Sequence, residues 1–133
     1  MGEPGKFAGT LFTLALSTAL LAPVPVTAAT PDNFQAKTTA DMVTLCSTDP
    51  SAPDYAMAIS FCHGFAVGAY QYYAAIAAGD PTARFVCMPN PPPPRSQAIA
   101  DFVAWARTRN DVMSKAPVDS MFRFLGERYP CPK

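Results

Sequence analysis

Wherever the apolar positions of this chain are periodic, they recur at helical spacing, and no stretch alternates over the length of a strand. Met42, Leu45 and Cys46 fall at i, i+3 and i+4, a narrow buried stripe that predicts a short first helix. Thr38 or Thr39 caps it, and Asp41 stands in its first turn, where a carboxylate complements the helix dipole. Ser47 to Pro53 holds two prolines and an aspartate and reads as a turn. A long second helix follows, from about Asp54 to Ala78. Tyr55, Ile59, Cys62, Phe65, Ala66, Ala69, Tyr73 and Ile76 make its main stripe, widened by Phe61, Val67 and Tyr72. Apolar residues on more than one face predict a central helix with neighbours on two sides. Gly64 and Gly68, one turn apart, would let another helix approach closely. Gly79-Asp80-Pro81 ends the element.

Arg84 to Arg95 is irregular. Phe85, Val86 and Cys87 form a short apolar anchor, and then Pro91 to Pro94 stand in a row. Consecutive prolines have no backbone donors and favour the extended polyproline conformation, so this stretch is neither helix nor central strand and belongs on the surface as a stiff loop. Ser96 is the expected cap of a third helix running to about Arg109, with Ile99, Phe102, Val103 and Ala106 on its inner face. Trp105 lies off that stripe, beside Asp101 and Arg109. Asn110 to Lys115 reads as a linker. Pro117 suits the first turn of a fourth helix, whose Val118, Met121, Phe122, Leu125 and Tyr129 are the cleanest amphipathic pattern present. The fold class expected is all-α, a compact domain of four helices, or five counting short turns.

The N-terminal 28 residues are set aside from this fold. Lys6, the uncharged run Phe7 to Ala22, the breaks at Pro23 and Pro25 and the small residues up to Ala28 or Ala29 have the order of a secretory signal peptide. The run falls short of the roughly 20 residues of a membrane span. Residues 1–28 are therefore expected as a leader and residues 29–133 as the working domain, 105 of the 133 residues, enough for one domain. The expected location is periplasmic or secreted. The chain is formally neutral, which argues against nucleic acid, whose binding needs a basic footprint, and against capture by acidic lipid. No membrane association is expected once the leader is gone.

Four cysteines, Cys46, Cys62, Cys87 and Cys131, all lie after the leader. An even number in a small exported domain points to two disulfides; three pairings are open, and spacing does not choose among them. A metal site has little support, with one histidine and no Cys-x-x-Cys. Nor does a catalytic group stand out. His63 follows Cys62, but neighbours on a helix point about 100° apart and cannot act as a nucleophile–base pair. Asp101 and Glu127 each sit on a polar face and read as solvated surface. No phosphate loop, hydrolase elbow or metalloprotease motif occurs. The reading is therefore a binding protein and not an enzyme, with no cofactor, no metal and no catalytic residue. Its positive features are Tyr70, Tyr72, Tyr73 and Trp105, more aromatic surface than one small core needs, and the stiff proline loop.

The cysteine frame is similar to that of the Rap/Tai family of immunity proteins of bacterial type VI secretion. The pieces that carry the resemblance are Leu45-Cys46, then Phe61-Cys62-His63-Gly64-Phe65-Ala66-Val67-Gly68-Ala69. After them come Phe85-Val86-Cys87-Met88-Pro89 (the family's Phe-Cys-x-Pro, here with Val86 inserted) and a closing helix into Tyr129-Pro130-Cys131-Pro132. It covers about residues 34–132. The resemblance implies a compact helical, often dimeric, periplasmic protein that binds a peptidoglycan-cleaving amidase effector and occludes its papain-like cleft. The preferred pairing within this frame is Cys46–Cys62, stapling the first two helices, and Cys87–Cys131, tying the proline loop to the C-terminus. Candidate contact residues are Tyr72, Trp105 and the loop Asn90–Arg95, with Asn90 and Arg95 at its ends. The alternative function is an acid-stress periplasmic chaperone of the HdeA type, also small, helical and disulfide-bonded, or a structural envelope protein.

Overall fold

A computed structural model describes residues 28–132, together with Gly2. The predicted leader thus lies outside the described residues but for Gly2 and Ala28. The elements run α1 (Thr39–Cys46), α2 (Tyr55–Gly79), α3 (Arg95–Arg107), α4 (Asn110–Met113) and α5 (Pro117–Arg128), with 3-10 turns at Pro31–Gln35 and Pro81–Ala83. The domain is all-α, as expected. Two short helices escape the apolar pattern: the first 3-10 turn at Pro31–Gln35, and α4 in the stretch after Arg109 that reads as a linker. Both are too short for apolar periodicity to show. Ser96 lies inside α3, whose cap position is taken by Pro94.

The core is organised by the shortest of the long helices. α1 packs against α2, α3, α4 and α5 and buries Thr39, Met42, Val43 and Leu45 of its eight residues. α2, expected at the centre, instead leaves a whole face to solvent. It buries Ala58, Cys62, Tyr73 and Ala77, while Ile76 is exposed. Gly64 and Gly68 have open space where a Cβ would stand, so no helix approaches them among the described residues. A helix apolar on all sides carries no sequence record of which side is inward. Val118 is likewise exposed, and Phe124 takes the inner place on α5. On α3 the four predicted inner residues, Ile99, Phe102, Val103 and Ala106, are all buried.

Two buried polar side chains fix α1 against the C-terminal half. Thr39 Oγ1 lies 2.7 Å from Ser120 Oγ and 3.0 Å from the Lys115 carbonyl, which also accepts the Thr39 N–H at 2.8 Å. Paired in this way, hydroxyls are tolerated in a dry interior. Cys46 is bonded to Cys62 and Cys87 to Cys131. The second bond closes a small clasp in which Val86 bridges Pro130 and the Cys87 N–H donates to the Tyr129 carbonyl at 2.8 Å.

The cap of α1 is a reciprocal box. Thr38 Oγ1 accepts the Asp41 N–H, and Asp41 Oδ2 accepts the Thr38 N–H at 2.9 Å. Partial burial pushes the Asp41 carboxyl up, but hydrogen bonds from Asn33 and Thr38 outweigh it and hold the group below its ordinary value. With the folded pKa depressed, the stability this group supplies is complete above its unfolded pKa of about 4 and is lost as pH falls through the lower folded value. Asp41→Asn is expected to lower the melting temperature at pH 7 by a few degrees, the scale of a capping interaction of about 1 kcal/mol. Melting curves taken as pH falls through the lowered folded value should bring the two proteins together; a gap that persists once the carboxyl is protonated in both states would assign the loss to something other than the charge.

Candidate functional site

A cleft of about 390 Å³ opens between α2 and the proline loop, with α3 and α5 as its floor. Val67, Tyr70 and Gln71 of α2 form one wall, and Met88, Pro92 and Pro93 form the other. Phe102 and Phe124 lie at the base. Most of this lining is apolar; Gln71, Arg95 and the Tyr70 hydroxyl supply its side-chain polar groups. Arg95 is exposed and makes no ion pair among the described residues. The wall is rigid for chemical reasons. Each proline fixes φ near −65°, and the segment is held at one end by the Cys87–Cys131 clasp and at the other by the start of α3. Arg95, expected in the loop, is thereby the first residue of that helix.

The open face of α2 continues round from this cleft. Gln71 lies on the cleft side, and helical geometry places Gly64, Gly68 and Tyr72 on the adjoining stripe. Tyr72 is 73% exposed and Met57 60% exposed. Phe61, on the same side, is partly covered by the edge-on ring of Phe34 at 5.6 Å.

Of the four candidate contact residues, three therefore border one region. Arg95 lines the cleft, Asn90 is exposed in the loop that walls it, and Tyr72 stands on the next stripe of α2. Trp105 lies elsewhere. Its ring packs on Phe102 and Phe124, with centroids 6.3 and 5.7 Å away. Its indole N–H donates to Glu127 Oε2 at 2.9 Å, and the Arg109 guanidinium covers its face at 4.7 Å. Glu127 is thus a hub, also paired with Arg109 at 2.9 Å and Arg123 at 3.2 Å, and Arg123 reaches Asp111 at 2.9 Å. The Trp105 hydrogen bond, helped by the two arginines, holds the Glu127 carboxyl below its ordinary value. Asp101, the other acid considered as half of a carboxylate pair, accepts from Gln97 instead.

Tyr73 is no surface aromatic either: it is in the core, with its hydroxyl bonded to backbone of the Phe85–Val86 segment. The cleft-lining residues Val67, Gln71 and Met88 were not foreseen as a set, because their nearness depends on how the loop folds back over α2. Among the described residues, no group of three or more His, Cys, Asp or Glu side chains is placed to hold a metal ion. No helix there is long and apolar enough to cross a membrane.

The model of a protein family, described as Rap1a immunity proteins, matches residues 38–131. That span takes in all four cysteines, the cleft and both of its walls. No curated protein and no solved structure matches the chain.

Proposed function

The chain belongs to the family of Rap1a immunity proteins, and on that footing we propose that it works in the periplasm by binding a peptidoglycan-cleaving amidase and blocking its cleft. The observation that carries this reading is the stiff proline wall beside an apolar cleft and an exposed Arg95 that has no ion pair among the described residues. A segment already fixed in its bound shape loses little entropy on docking. An apolar cleft rimmed by one cation provides both buried contact area and a charged anchor. Blocking by contact requires no catalytic group in the blocker. The leader expected over residues 1–28 would deliver the domain to the compartment where such a toxin acts.

The direct test is to expose the oxidised, processed protein to the secreted and periplasmic amidases of its own organism. A stoichiometric complex in which peptidoglycan hydrolysis stops supports the reading. An expressed amidase toxin that ignores the protein sinks it. Within such a complex, the double substitution Pro92→Gly, Pro93→Gly is expected to weaken binding roughly tenfold. Each proline removed restores about 0.4–1 kcal/mol of backbone freedom that docking must then suppress. Calorimetry against the same toxin reads this directly, and unchanged affinity would move the contact surface away from the loop. Trp105→Ala should register in stability, since its polar atom is already committed to Glu127.

A second copy of the chain is the partner we propose for the open face of α2. Met57 and Tyr72 are exposed there, and the two glycines leave room for a neighbouring backbone. Gly68→Arg should turn a dimer into a monomer in sedimentation analysis; an unchanged mass would place any dimer contact elsewhere.

A further inference from the structure

Asp54 occupies the cap position of α2, yet its side chain makes no bond to the helix it precedes. An aspartate in that position ordinarily accepts from the backbone N–H two or three residues on. Here the carboxylate is directed at Ala29, whose backbone nitrogen donates to Oδ2 at 2.8 Å. The other oxygen, Oδ1, is buried and accepts no hydrogen bond among the described residues. A buried carboxylate oxygen left without a donor is costly, and such atoms are uncommon in folded proteins.

Ala29 is also where the anchored N-terminal arm begins. It packs against the cluster of Met42, Leu45, Ala58, Cys62 and Ile99. Beyond it, the Thr30 N–H donates to Asn33 Oδ1, Asn33 Nδ2 donates to Asp41, and Phe34 meets Phe61. The residue that holds Asp54 is therefore the one that the leader reading makes the first of the processed chain.

We propose that cleavage between Ala28 and Ala29 completes the fold by creating an α-ammonium group that docks on the Asp54 carboxylate. Hydrolysis breaks the amide C–N bond; water gives its hydroxyl to the Ala28 carbonyl carbon and a proton to the Ala29 nitrogen, which gains a second from solvent as an ammonium. An α-amino group with an ordinary pKa of about 7.7–8.0 is mostly charged at neutral pH. In the uncleaved chain Ala29 has one N–H and can serve one oxygen. The ammonium has three, serves both, and adds opposite charge at hydrogen-bond distance. The pair sits beside the start of α2, where the carboxylate also suits the helix dipole. Processing and final stability are thereby linked: the leader-bearing chain folds with an unsatisfied acid, and the released domain does not.

The inference rests on the export reading, and the experiment separates the two. The full chain is expressed in a host that exports it, recovered from the periplasm, and its N-terminus read by mass spectrometry. An N-terminus at Ala29 is expected; any other overturns the proposal at its premise. A variant with Gly-Ser-Gly inserted between Ala28 and Ala29 moves the ammonium away while keeping the Ala29 amide. Asp54→Asn is then made in both backgrounds. It should lower the melting temperature by about 4–8 °C in the processed wild type and by less than half as much in the insertion variant. Equal losses would show that Asp54 takes only an amide hydrogen bond and would overturn the ion pair. Should Asp54→Asn not fold, acylation of the N-terminal amine at neutral pH decides: the wild-type amine should react several-fold more slowly than that of the insertion variant, and equal rates would overturn the docking.

Discussion

The double substitution Cys87→Ser, Cys131→Ser is expected to lower the melting temperature by about 15–20 °C. The bond spans 44 residues, and the chain-entropy relation gives about 4 kcal/mol for a loop of that length. In a domain of about 100 residues each kcal/mol corresponds to roughly 4 °C or more. Cys46–Cys62 spans 16 residues, and the same relation gives about 3 kcal/mol. The order is therefore fixed by topology, with the longer loop carrying more. Differential scanning calorimetry of the two double-serine variants reads the order directly. A smaller loss for Cys87/Cys131 than for Cys46/Cys62 would show that the reduced chain already holds its C-terminus near the proline loop. The clasp contacts of Val86 with Pro130 and Cys87 with Tyr129 would then survive without the covalent bond. The consequence for binding is separate. Removing Cys87–Cys131 frees one end of the proline wall, so affinity for a partner docked on the cleft should fall even at temperatures where the domain stays folded.

The parts of this fold that the sequence made legible are those where one face of a helix differs from the rest. α3 has a polar outer surface, so its inner stripe of Ile99, Phe102, Val103 and Ala106 could be read without error. α1 announced itself by the Thr38 and Asp41 cap and its three inner residues. α2 is the opposite case. Its 25 residues are apolar nearly all round, so periodicity placed the exposed Ile76 inside and passed over Ala58 and Ala77. The role of α1 as the hub was hidden for a related reason: centrality depends on how many elements meet a helix, not on its own pattern. The same holds at the cleft. Pro92 and Pro93 are legible as a stiff loop, while the placing of Arg95 on α3 and the opposition of all three to Val67 and Gln71 are products of tertiary packing. Trp105 stands off its helix stripe in the sequence, but its partners Phe124 and Glu127 come from α5, and no local spacing joins them. In the sequence Asp54 marks only the start of a helix; its bond to Ala29 spans 25 residues and leaves no mark in either neighbourhood.

Tyr73→Phe keeps the ring and removes one oxygen, yet it is expected to destabilise the protein by about 2–4 kcal/mol, or roughly 8–15 °C. The ring is 9% exposed and sits among Phe85 and Phe122, with centroids at 5.0 and 5.1 Å; phenylalanine keeps those contacts. The hydroxyl oxygen accepts the N–H of Phe85 at 2.9 Å and of Val86 at 2.8 Å, and it lies 3.4 Å from the Val86 carbonyl. These backbone groups belong to no helix, so the tyrosine oxygen is what satisfies them. Val86 is buried, and its orphaned N–H would bear the full desolvation penalty. Phe85 is about half exposed, so water can compensate part of its loss. The segment so held leads straight into Cys87. Tyr73 and the Cys87–Cys131 bond therefore restrain the same stretch of chain from two sides, and their losses should not add. In the Cys87→Ser, Cys131→Ser background, Tyr73→Phe is expected to lose less than half its effect, because the loosened segment can turn its N–H groups to solvent. A full double-mutant cycle by thermal or denaturant unfolding measures this coupling. Additive losses would mean that the hydroxyl and the disulfide hold independent parts of the fold, and that the proline wall owes its position to the disulfide alone.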